Sequence, residues 1–425
     1  MLKGRKTEAG VQLFNPYTNL DYNFSDTTWE IIKLLKKYGK EKTVKKIMKL
    51  FNINEKNAKE DIETVLKNLK LIKINLKDIP SSVSNIKYAP RTVHFDIATK
   101  CNSNCIYCLA SDRMKKNKEL TTKQIIKIID QLPDLGTWLL CLSGGEPFLR
   151  KDIFEILNHV EKLQLLTQVY TNGTLITKEI AERLSKYRYV FLQISLDSYI
   201  AEHNDSNRGL KNSYAKTMQG INNLLEYGEV PEICMVLTHN NYKDLEKTAE
   251  FLHKLGINYV RIGPAHPYSG RGYKNSNKLQ LTIKQTEEIG KKIIKINEKY
   301  RDSLMFFPTR EFVVYSVEYK SLDKIEKCGN GRQVLYINSD GLVYPCIFLV
   351  EPEFVIGDAK KEKLSDIWKH SNLIKKIRYL TVNDIEKCKT CDVKQLCSGG
   401  CRASARYHFG SIYAHDPYCC ALFKK

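Results

Sequence analysis

Hydrophobic residues along this chain repeat with two different spacings, and the changes between them divide the sequence into three segments. In residues 1–90, short extended runs between Val11 and Phe24 precede three helical stripes. In residues 91–310, extended apolar runs alternate with helical stripes, whereas residues 311–425 carry regularly spaced cysteines. These patterns predict a small N-terminal module, an α/β domain with a parallel sheet, and a cysteine-rich C-terminal domain.

The N-terminal module shows an order of elements that is typical of a winged helix. Three helices are predicted by their buried stripes: about Asp26 to Tyr38, about Thr43 to Phe51, and one from Asn54 that buries Ala58, Ile62, Val65 and Leu69. Ser25 or Asp26 is the expected N-cap of the first helix, and Gly39 is expected to end it. A last extended piece is predicted from Leu71 to Leu76, and Ile79 to Ala89 has the composition of a linker.

Six extended apolar runs define the second segment: Val93 to Ile97, Trp138 to Leu142, Gln168 to Tyr170, Val190 to Leu196, Ile233 to Leu237, and Tyr259 to Ile262. Helical stretches such as Thr122 to Leu132 and Ile153 to Leu163 separate them. Strands and helices that alternate in this way form right-handed crossovers and a parallel sheet. Ligands in such folds gather at the carboxyl ends of the strands.

Three cysteines follow the first of these strands in the stretch TKCNSNCIYC. Cys101, Cys105 and Cys108 have the spacing CxxxCxxC, which suits three corners of a cubane iron–sulfur cluster. Three protein ligands leave one iron open to a small molecule. A zinc loop or a set of core thiols is the alternative for these three residues alone.

A second motif, Ser143-Gly144-Gly145-Glu146-Pro147, begins 35 residues after Cys108 and follows the second predicted strand. Together the two motifs resemble the radical S-adenosylmethionine (SAM) superfamily. The resemblance implies a partial (β/α)6 barrel and a [4Fe-4S] cluster whose open iron is chelated by SAM. Reductive cleavage of SAM would then give a 5′-deoxyadenosyl radical, while the protein positions the reactants and excludes water.

The same resemblance assigns further residues to SAM. Tyr107 would lie near the adenine through its backbone, and Gly144 and Gly145 would allow close approach of the ligand. Glu146 would accept a hydrogen bond from the SAM ammonium. Weaker matches are Ser195, for the ribose or carboxylate, and Arg208, for the carboxylate. Asp197 is expected at most to cap a turn, and Cys141 and Cys234 are expected to be buried core thiols.

Eight cysteines in the third segment form the most specific pattern in the chain. Twelve residues separate Cys328 from Gly341, and four more separate Gly341 from Cys346. Next come Cys388, Cys391, Cys397 and Cys401, with two, five and three residues between them. Cys419 and Cys420 are the last two. The pattern is similar to the SPASM domain of peptide-modifying radical SAM enzymes, which implies two auxiliary [4Fe-4S] clusters. A zinc knot is the alternative for Cys388 to Cys401 alone.

The family assignment implies an outer cluster held by Cys388, Cys391, Cys397 and Cys419, and an inner cluster held by Cys328, Cys346 and Cys401. No cysteine lies between Cys234 and Cys328, so the inner cluster is expected to have an open iron. Cys420 could serve either cluster or neither. A β-hairpin between Tyr336 and Val343 is predicted to present the second cysteine of this segment.

The N-terminal module resembles the peptide chaperone of pyrroloquinoline quinone biosynthesis, whose fold is the leader-recognition element of many peptide-modifying enzymes. The resemblance implies that a leader peptide adds a strand to the sheet edge. DNA binding is the alternative, because residues 1–90 contain 18 Lys and Arg against 10 Asp and Glu. Fusion to a radical SAM domain favours the leader peptide.

Composition sets the remaining expectations. A chain of 425 residues with 42% hydrophobic residues can form several packed cores, and it shows neither a signal peptide nor an apolar run long enough for a membrane span. We therefore expect a cytoplasmic protein without a membrane partner. Thirteen cysteines then indicate metal binding rather than disulfides. The net charge of +20 is spread along the chain, which disfavours nucleic acid and permits an acidic peptide partner.

These observations predict an oxidoreductase that modifies a ribosomally made precursor peptide, with SAM and three [4Fe-4S] clusters as cofactors and flavodoxin or ferredoxin as reductant. The open inner cluster predicts a thioether product of the sactipeptide type. The alternatives are carbon–carbon cross-linking, maturation of a folded protein such as a sulfatase, and a DNA-binding regulator that senses redox state through its clusters.

Overall fold

The structure, a computed structural model, describes residues 3–7, 10–15, 20–72, 74–80, 89–116, 118–309, 312, 328–392 and 394–423. The chain forms two compact units. The first comprises Met1–Arg91 and Pro133–Leu139, and the second comprises Thr92–Leu132 and Leu140–Lys425.

A three-stranded antiparallel sheet and two helical elements form the first unit. The sheet has the order β1-β2-β3, with β1 at Lys3–Thr7, β2 at Gly10–Asn15 and β3 at Leu20–Phe24. The helices are α1 (Asp26–Phe51) and α2 (Glu55–Leu71), followed by a 3₁₀ turn at Leu76–Asp78. Val11, Leu13, Trp29, Ile32, Ile47 and Ile62 are among the residues of its buried core.

The helix predictions for this unit are confirmed with one change. Ser25, not Asp26, is the N-cap, because its hydroxyl accepts a hydrogen bond from the Thr28 N–H at 3.1 Å. The first two predicted helices form one element that bends at Gly39, whose φ of 73° lies in the left-handed region that glycine adopts without a steric penalty. Asn54 caps α2, which buries the four predicted residues.

The predicted strand from Leu71 to Leu76 is wrong for the residues described. Leu71 is the last residue of α2, and Leu76 begins the 3₁₀ turn. The amide of Ile74 donates to the Leu69 carbonyl at 2.9 Å, which turns the chain back onto the helix end. Of the predicted linker, residues 81–88 lie outside the described part. Strand β1 was not predicted, because its sequence KGRKT lacks alternating apolar residues.

A ten-stranded sheet organises the second unit. Its order is β10-β9-β8-β7-β6-β5-β4-β11-β12-β13, and the parallel pairs include β6 with β7, β7 with β8, β8 with β9, and β9 with β10. The strands are β4 (Thr92–Ala98), β5 (Leu139–Gly144), β6 (Leu166–Thr171), β7 (Val190–Ser195), β8 (Glu232–Leu237), β9 (Tyr259–Pro264), β10 (Met305–Pro308), β11 (Val334–Ile337), β12 (Leu342–Tyr344) and β13 (Gly357–Asp358).

Helices follow most of these strands, as the alternating pattern predicts. In the described part they are α3 (Ser111–Lys116), α4 (Thr122–Ile129), α5 (Ile153–Lys162), α6 (Lys178–Leu184), α7 (Ala201–Arg208), α8 (Ser213–Glu226), α9 (Leu245–Lys254), α10 (Gly270–Lys274), α11 (Ser276–Leu279), α12 (Ile283–Lys299), α13 (Leu364–His370), α14 (Asn372–Tyr379), α15 (Lys394–Cys397), α16 (Arg402–Phe409) and α17 (Pro417–Phe423). All six predicted strands are present. Strand β10, whose sequence is only MFFP, was not predicted.

The cysteine-rich segment extends the same sheet. Strand β11 pairs in parallel with β4, so that Tyr336 lies beside His94, and β11 and β12 form the predicted antiparallel hairpin. Strand β13 pairs with β12. The C-terminal segment is therefore joined to the barrel-like sheet by backbone hydrogen bonds rather than by a linker alone.

The interior of this sheet contains an imidazole that makes folding sensitive to acid. Burial, and secondarily the Arg261 guanidinium, lower the pKa of His94 to about 4. The unfolded chain, with an ordinary pKa near 6.5, therefore binds more protons than the folded chain between about pH 6.5 and 4. Stability is full above this window and is lost as the pH falls through it, by about 1.4 kcal/mol per pH unit at most.

We expect His94→Gln to flatten this pH dependence. The measurement is the difference in thermal unfolding midpoint between pH 7 and pH 5, compared with the wild type and with His370→Gln, which changes an exposed histidine. An equal acid sensitivity in all three proteins would show that other groups control it.

Candidate active site

A cavity of about 300 Å³ lies at the carboxyl ends of the strands in the second unit. Its wall includes every residue that the sequence predicted for the radical SAM site: Cys101, Cys105, Tyr107, Cys108, Gly144, Gly145, Glu146, Ser195 and Arg208. The two sequence motifs and the two isolated residues therefore meet at one place. Their individual roles toward a cofactor remain predictions.

The glycine motif holds the start of the cysteine loop. The Gly145 amide donates to the Ala98 carbonyl at 2.7 Å, and the Glu146 amide donates to the Lys100 carbonyl at 2.8 Å. A Cβ at Gly145 would lie 2.1 Å from the Lys100 oxygen, and one at Gly144 would lie 2.3 Å from the Ala98 oxygen. The missing side chains thus make room for the cysteine loop itself, in addition to any ligand.

Two further elements hold the other side of the loop. The amides of Asn104 and Ile106 donate to carbonyls at the end of α7, each at 3.0 Å. Arg271 in α10 donates from its amide to the Cys108 carbonyl at 3.0 Å and from Nε to the Cys105 carbonyl at 2.7 Å. Helix α10 was not predicted, although the pair of glycines at 270 and 272 was an available signal.

The three thiols suit an iron–sulfur cluster. The Ser103 amide donates to Cys101 Sγ at 3.4 Å, and such N–H donors to sulfur are a recurring feature of cluster sites. Burial raises the pKa of Cys101 to about 11 and raises that of Cys108, so these thiols are protonated until a metal displaces the protons. Within the described residues, no three His, Cys, Asp or Glu side chains converge as ligands of a single metal ion.

Glu146 is buried, and protein donors surround its carboxylate. The donors are the Thr171 hydroxyl at 2.7 Å, the Asn172 amide at 2.8 Å and the Phe148 amide at 3.2 Å. Burial raises the pKa of Glu146, although these donors oppose the shift. A carboxylate accepts about four hydrogen bonds, so one position is left for the predicted SAM ammonium.

Arg208 is positioned by Asp197, a residue for which only turn capping was expected. Arg208 Nη2 lies 3.0 Å from Asp197 Oδ1, and both side chains are buried. Asp197 also accepts from the Tyr107 hydroxyl at 2.5 Å and from the Val236 amide at 3.0 Å. Burial opposes the charge of Arg208, but the Asp197 carboxylate, together with Tyr107, Cys105 and Cys234, outweighs it, and the pKa of Arg208 lies above its usual value.

One atom of Arg208 has no hydrogen-bond partner among the described residues. Its Nε is buried and makes no hydrogen bond with any described residue, while the side chain lines the cavity. Nη1 lies 3.9 Å from Cys105 Sγ, which places the guanidinium beside the thiols. A buried donor without a partner is costly, so this arrangement fits the predicted pairing with the SAM carboxylate.

Further residues line the cavity that sequence reasoning missed. Asp96 accepts from the Ser143 hydroxyl at 2.8 Å and from the Tyr336 hydroxyl at 2.5 Å. Arg113 lies 4.0 Å from Asp96, and His266 follows the end of β9. Ile347 of the cysteine-rich segment lines the cavity, and Tyr336 of the same segment binds the lining residue Asp96, so that segment helps to build the cavity wall.

The C-terminal thiols fall into two groups. Burial, followed by the nearby Cys328, raises the pKa of Cys346 to about 12, and Cys401 packs in the same hydrophobic cluster as Cys346. The Phe348 amide donates to Cys346 Sγ at 3.4 Å. In the second group, burial and then Cys420, Cys397 and Cys391 raise the pKa of Cys388 to about 11.

Cys419 and Cys420 occupy consecutive positions in α17. Cys419 is buried, and Cys420 is partly buried close to the second group of thiols. The predicted assignment of Cys419 to the outer cluster remains a prediction. Cys141 is buried as expected and accepts from the Tyr170 hydroxyl at 3.2 Å, whereas Cys234 is only half-buried.

Comparison with protein families agrees with this geometry. Residues 96–252 match the radical SAM superfamily, and residues 328–392 match the SPASM iron–sulfur cluster-binding domain. The chain thus combines a radical SAM fold with a C-terminal SPASM domain, which defines it as an enzyme of the radical SAM/SPASM class. In the described residues, no helix combines the length and the apolar character that a membrane span requires.

Individual relatives carry different activities in their names. The chain is 29% identical over 333 residues to the mycofactocin maturase MftC of Mycolicibacterium smegmatis. This alignment covers 78% of this chain and 83% of that protein. It is also 29% identical over 347 residues to the AdoMet-dependent heme synthase of Methanosarcina barkeri, covering 78% and 96%.

A similar solved structure is that of Streptococcus suis SuiB bound to S-adenosylmethionine. The two folds agree with a TM-score of 0.74 and 20% identity, and the match covers 98% of each chain. The structure of SuiB bound to the precursor peptide SuiA matches with a TM-score of 0.73 and 18% identity, over 100% of this chain and 98% of that one.

Proposed function

We propose that this protein is a radical SAM peptide maturase that installs a thioether cross-link, from a cysteine sulfur to a carbon, in a ribosomally made precursor peptide. The observation that carries the proposal is one cavity in the second unit. It brings together the thiols of Cys101, Cys105 and Cys108, the glycine motif and Arg208. When bound there, a [4Fe-4S] cluster and SAM supply a 5′-deoxyadenosyl radical.

The protein's own residues would hold and orient these groups. Cys101, Cys105 and Cys108 would bind the cluster, and the Arg208 guanidinium would hold the SAM carboxylate. Ser195 lies at the end of β7 in the cavity wall and would contact the ribose or carboxylate of SAM.

The N-terminal unit supports a peptide as the substrate. Its sheet order leaves one side of β3 without a described strand partner, and α1 carries exposed lysines at 42, 45, 46 and 49 on one side. An extended peptide can add to a sheet edge through backbone hydrogen bonds, and lysines favour an acidic leader. The match to SuiB with its precursor peptide further supports this substrate class.

The C-terminal thiols support the thioether as the product. We assign Cys328, Cys346 and Cys401 to an inner auxiliary [4Fe-4S] cluster and Cys388, Cys391, Cys397 and Cys419 to an outer one. Three protein ligands at the inner site would leave a coordination position for a substrate thiolate. Each thioether removes two hydrogen atoms from the peptide, one of them by the 5′-deoxyadenosyl radical.

The test uses the full-length protein, purified without oxygen, with SAM, a reductant such as flavodoxin or ferredoxin, and a short cysteine-containing peptide chosen from the reading frames beside the gene. We expect the mass of the peptide to fall by two hydrogens for each cross-link. The number of peptide thiols that react with iodoacetamide should fall by one for each cross-link. We also expect about twelve iron atoms per chain, as three [4Fe-4S] clusters require.

Other outcomes identify other functions. Loss of two hydrogens with every peptide thiol still reactive would indicate a carbon–carbon cross-link. Cleavage of SAM with no change in the peptide would contradict the peptide substrate. A protein that binds DNA and makes no 5′-deoxyadenosine under reduction would be a redox regulator instead.

A further inference from the structure

We propose that Arg113 binds a backbone carbonyl oxygen of the precursor peptide in the cavity, an inference that rests on the proposed function. Arg113 lies on α3, five residues after Cys108, and it lines the same cavity as the three N-terminal thiols. A guanidinium has five N–H donors and no acceptor, so its ligand must supply a lone pair. The carbonyl oxygen is the group of a peptide backbone that supplies one.

One N–H donor of Arg113 has no partner in the described part of the chain. Its Nε is buried and makes no hydrogen bond there. Nη1 donates to the Leu109 carbonyl at 3.4 Å, and only 15% of the side chain is exposed. A buried donor without a partner is costly. Because Arg113 lines a cavity, a bound ligand can supply the acceptor that these residues do not.

Neighbouring elements hold Arg113 in position. The Arg271 amide in α10 donates to Ser111 Oγ at the start of α3, at 2.9 Å. A Cβ at Gly270 would lie 2.7 Å from the same oxygen, so the two helices pack closely here. The Arg113 guanidinium lies over the ring of Tyr336, 5.5 Å from its centroid. The donor is therefore positioned before a ligand binds, which lowers the entropy cost of binding.

The two arginines in the described cavity wall belong to different parts of the sheet. Arg208 pairs with Asp197, which follows β7, whereas Arg113 lies 4.0 Å from Asp96 on β4. Strands β5 and β6 separate β4 from β7. The residues predicted to hold the charged groups of SAM are Glu146, after β5, and Arg208. The end of the cavity at Arg113 is thus left for a second molecule, and the proposed reaction requires a peptide.

The charges around Arg113 favour a neutral acceptor over a carboxylate. Asp96 Oδ2 lies 4.0 Å from Arg113 Nη2, so one carboxylate already offsets the charge of the guanidinium. A second carboxylate at this place would lie close to Asp96, and like charges repel. A backbone carbonyl is neutral and accepts the single hydrogen bond that Nε offers.

A hydrogen bond at this place would set the register of the peptide. Ile347 of the cysteine-rich segment lines the same cavity, and Tyr336 of that segment contacts Arg113. A carbonyl bound to Arg113 would therefore lie close to both the N-terminal thiols and the cysteine-rich segment. Fixing one carbonyl selects which peptide C–H bond is presented for reaction, and a displacement of about 1 Å can cost about 100-fold in rate.

The main experiment compares wild type, Arg113→Lys and Arg261→Lys, each reconstituted to full iron content. Lysine keeps the positive charge beside Asp96 but has no Nε–H group. Arg261 is a matched control, because it also pairs with a carboxylate, that of Glu232 at 2.9 Å, and does not line the cavity. The ligands are the cysteine-containing peptide that the wild type cross-links and a series in which one core amide at a time is replaced by an ester. An ester carbonyl is a weaker hydrogen-bond acceptor than an amide carbonyl.

The dissociation constant of the unmodified peptide, measured with SAM bound and no reductant, should rise at least about tenfold in Arg113→Lys, as expected for a lost hydrogen bond to a charged group. One ester position should weaken binding to the wild type and have no further effect in Arg113→Lys. A purely structural role of Arg113 would not produce this coupling. SAM affinity should be unchanged in both variants, and Arg261→Lys should match the wild type with every peptide.

A second measurement needs no variant. In the wild-type holoenzyme, modification of Arg113 by phenylglyoxal, mapped by mass spectrometry, should slow when the peptide is bound and should not respond to SAM alone.

Five results would overturn the inference. They are unchanged peptide affinity in Arg113→Lys, weaker SAM binding in that variant, ester effects that all persist in it, phenylglyoxal modification that ignores the peptide, and coupling of Arg113 to a peptide Asp or Glu in place of a carbonyl. All five are read with a peptide that the wild type cross-links. A wild-type enzyme that forms no cross-link would instead overturn the proposed function, and this inference with it.

Discussion

Gly145→Ala is expected to abolish cluster assembly and, with it, cleavage of SAM. The new methyl carbon would be built 2.1 Å from the Lys100 carbonyl oxygen and 2.6 Å from its carbon. Both atoms belong to the backbone, which cannot move aside as a flexible side chain can. The Glu146 amide donates to this same carbonyl, so relief of the clash would displace the loop that carries Cys101, Cys105 and Cys108.

The measurements for Gly145→Ala are iron content after anaerobic reconstitution and the yield of 5′-deoxyadenosine under reduction. We expect about four fewer iron atoms per chain, equivalent to one [4Fe-4S] cluster, and a yield at least about 100-fold below wild type, since a misplaced site loses about that much rate. Gly228→Ala is the control, because its Cβ would meet no atom within 4 Å, although its φ of 79°, unlike the backbone of Gly145, lies in the region that strains alanine. Full iron content in Gly145→Ala would contradict the steric argument.

The cysteine loop and the glycine motif were predictable because each is a continuous stretch with a fixed spacing. Their shared location followed from a general rule, that the carboxyl ends of neighbouring parallel strands meet at one edge of a sheet. The sequence patterns also located all six expected strands and the helices of the N-terminal unit. Each of these local features depends on a few residues that are adjacent in the sequence.

The supporting contacts were not predictable in the same way, because they join residues that are distant in sequence. Tyr336 binds Asp96 across 240 positions, and Arg271 binds the Cys105 carbonyl across 166. No local pattern identifies such partners. The residue His266 was missed for the same reason, since a single histidine after a strand has no distinctive spacing.

Errors in the secondary structure have local causes. The residues from Ile72 to Leu76 alternate between apolar and polar in a way that suits a strand, but Leu71 ends α2 and Leu76 begins a 3₁₀ turn instead. Strand β10 was missed because four residues give too short a pattern. Short segments of this kind are decided by tertiary contacts more than by their own sequence.

Asp197→Asn is expected to weaken SAM binding at least about tenfold, which corresponds to 1.4 kcal/mol, and to lower stability. The asparagine keeps an acceptor for the Val236 amide but removes the negative charge opposite Arg208, which lies 3.0 Å away. Removal of one partner from a buried ion pair costs about 3–5 kcal/mol, because the remaining charge is left without compensation. The Arg208 guanidinium would then turn away from the position that the SAM carboxylate requires.

The control for Asp197→Asn is Glu232→Gln, which disrupts another Arg–carboxylate pair on the same sheet. Glu232 accepts from Arg261 Nε at 2.9 Å, at the amino end of β8 and outside the cavity wall. Equilibrium dialysis of SAM with the reconstituted, unreduced enzymes measures affinity, and thermal unfolding measures stability. Both variants lose an ion pair, but only Asp197→Asn removes the partner of a residue that lines the cavity. We therefore expect reduced SAM affinity in Asp197→Asn and not in Glu232→Gln. Equal SAM affinity in Asp197→Asn and wild type would show that Arg208 does not bind the SAM carboxylate.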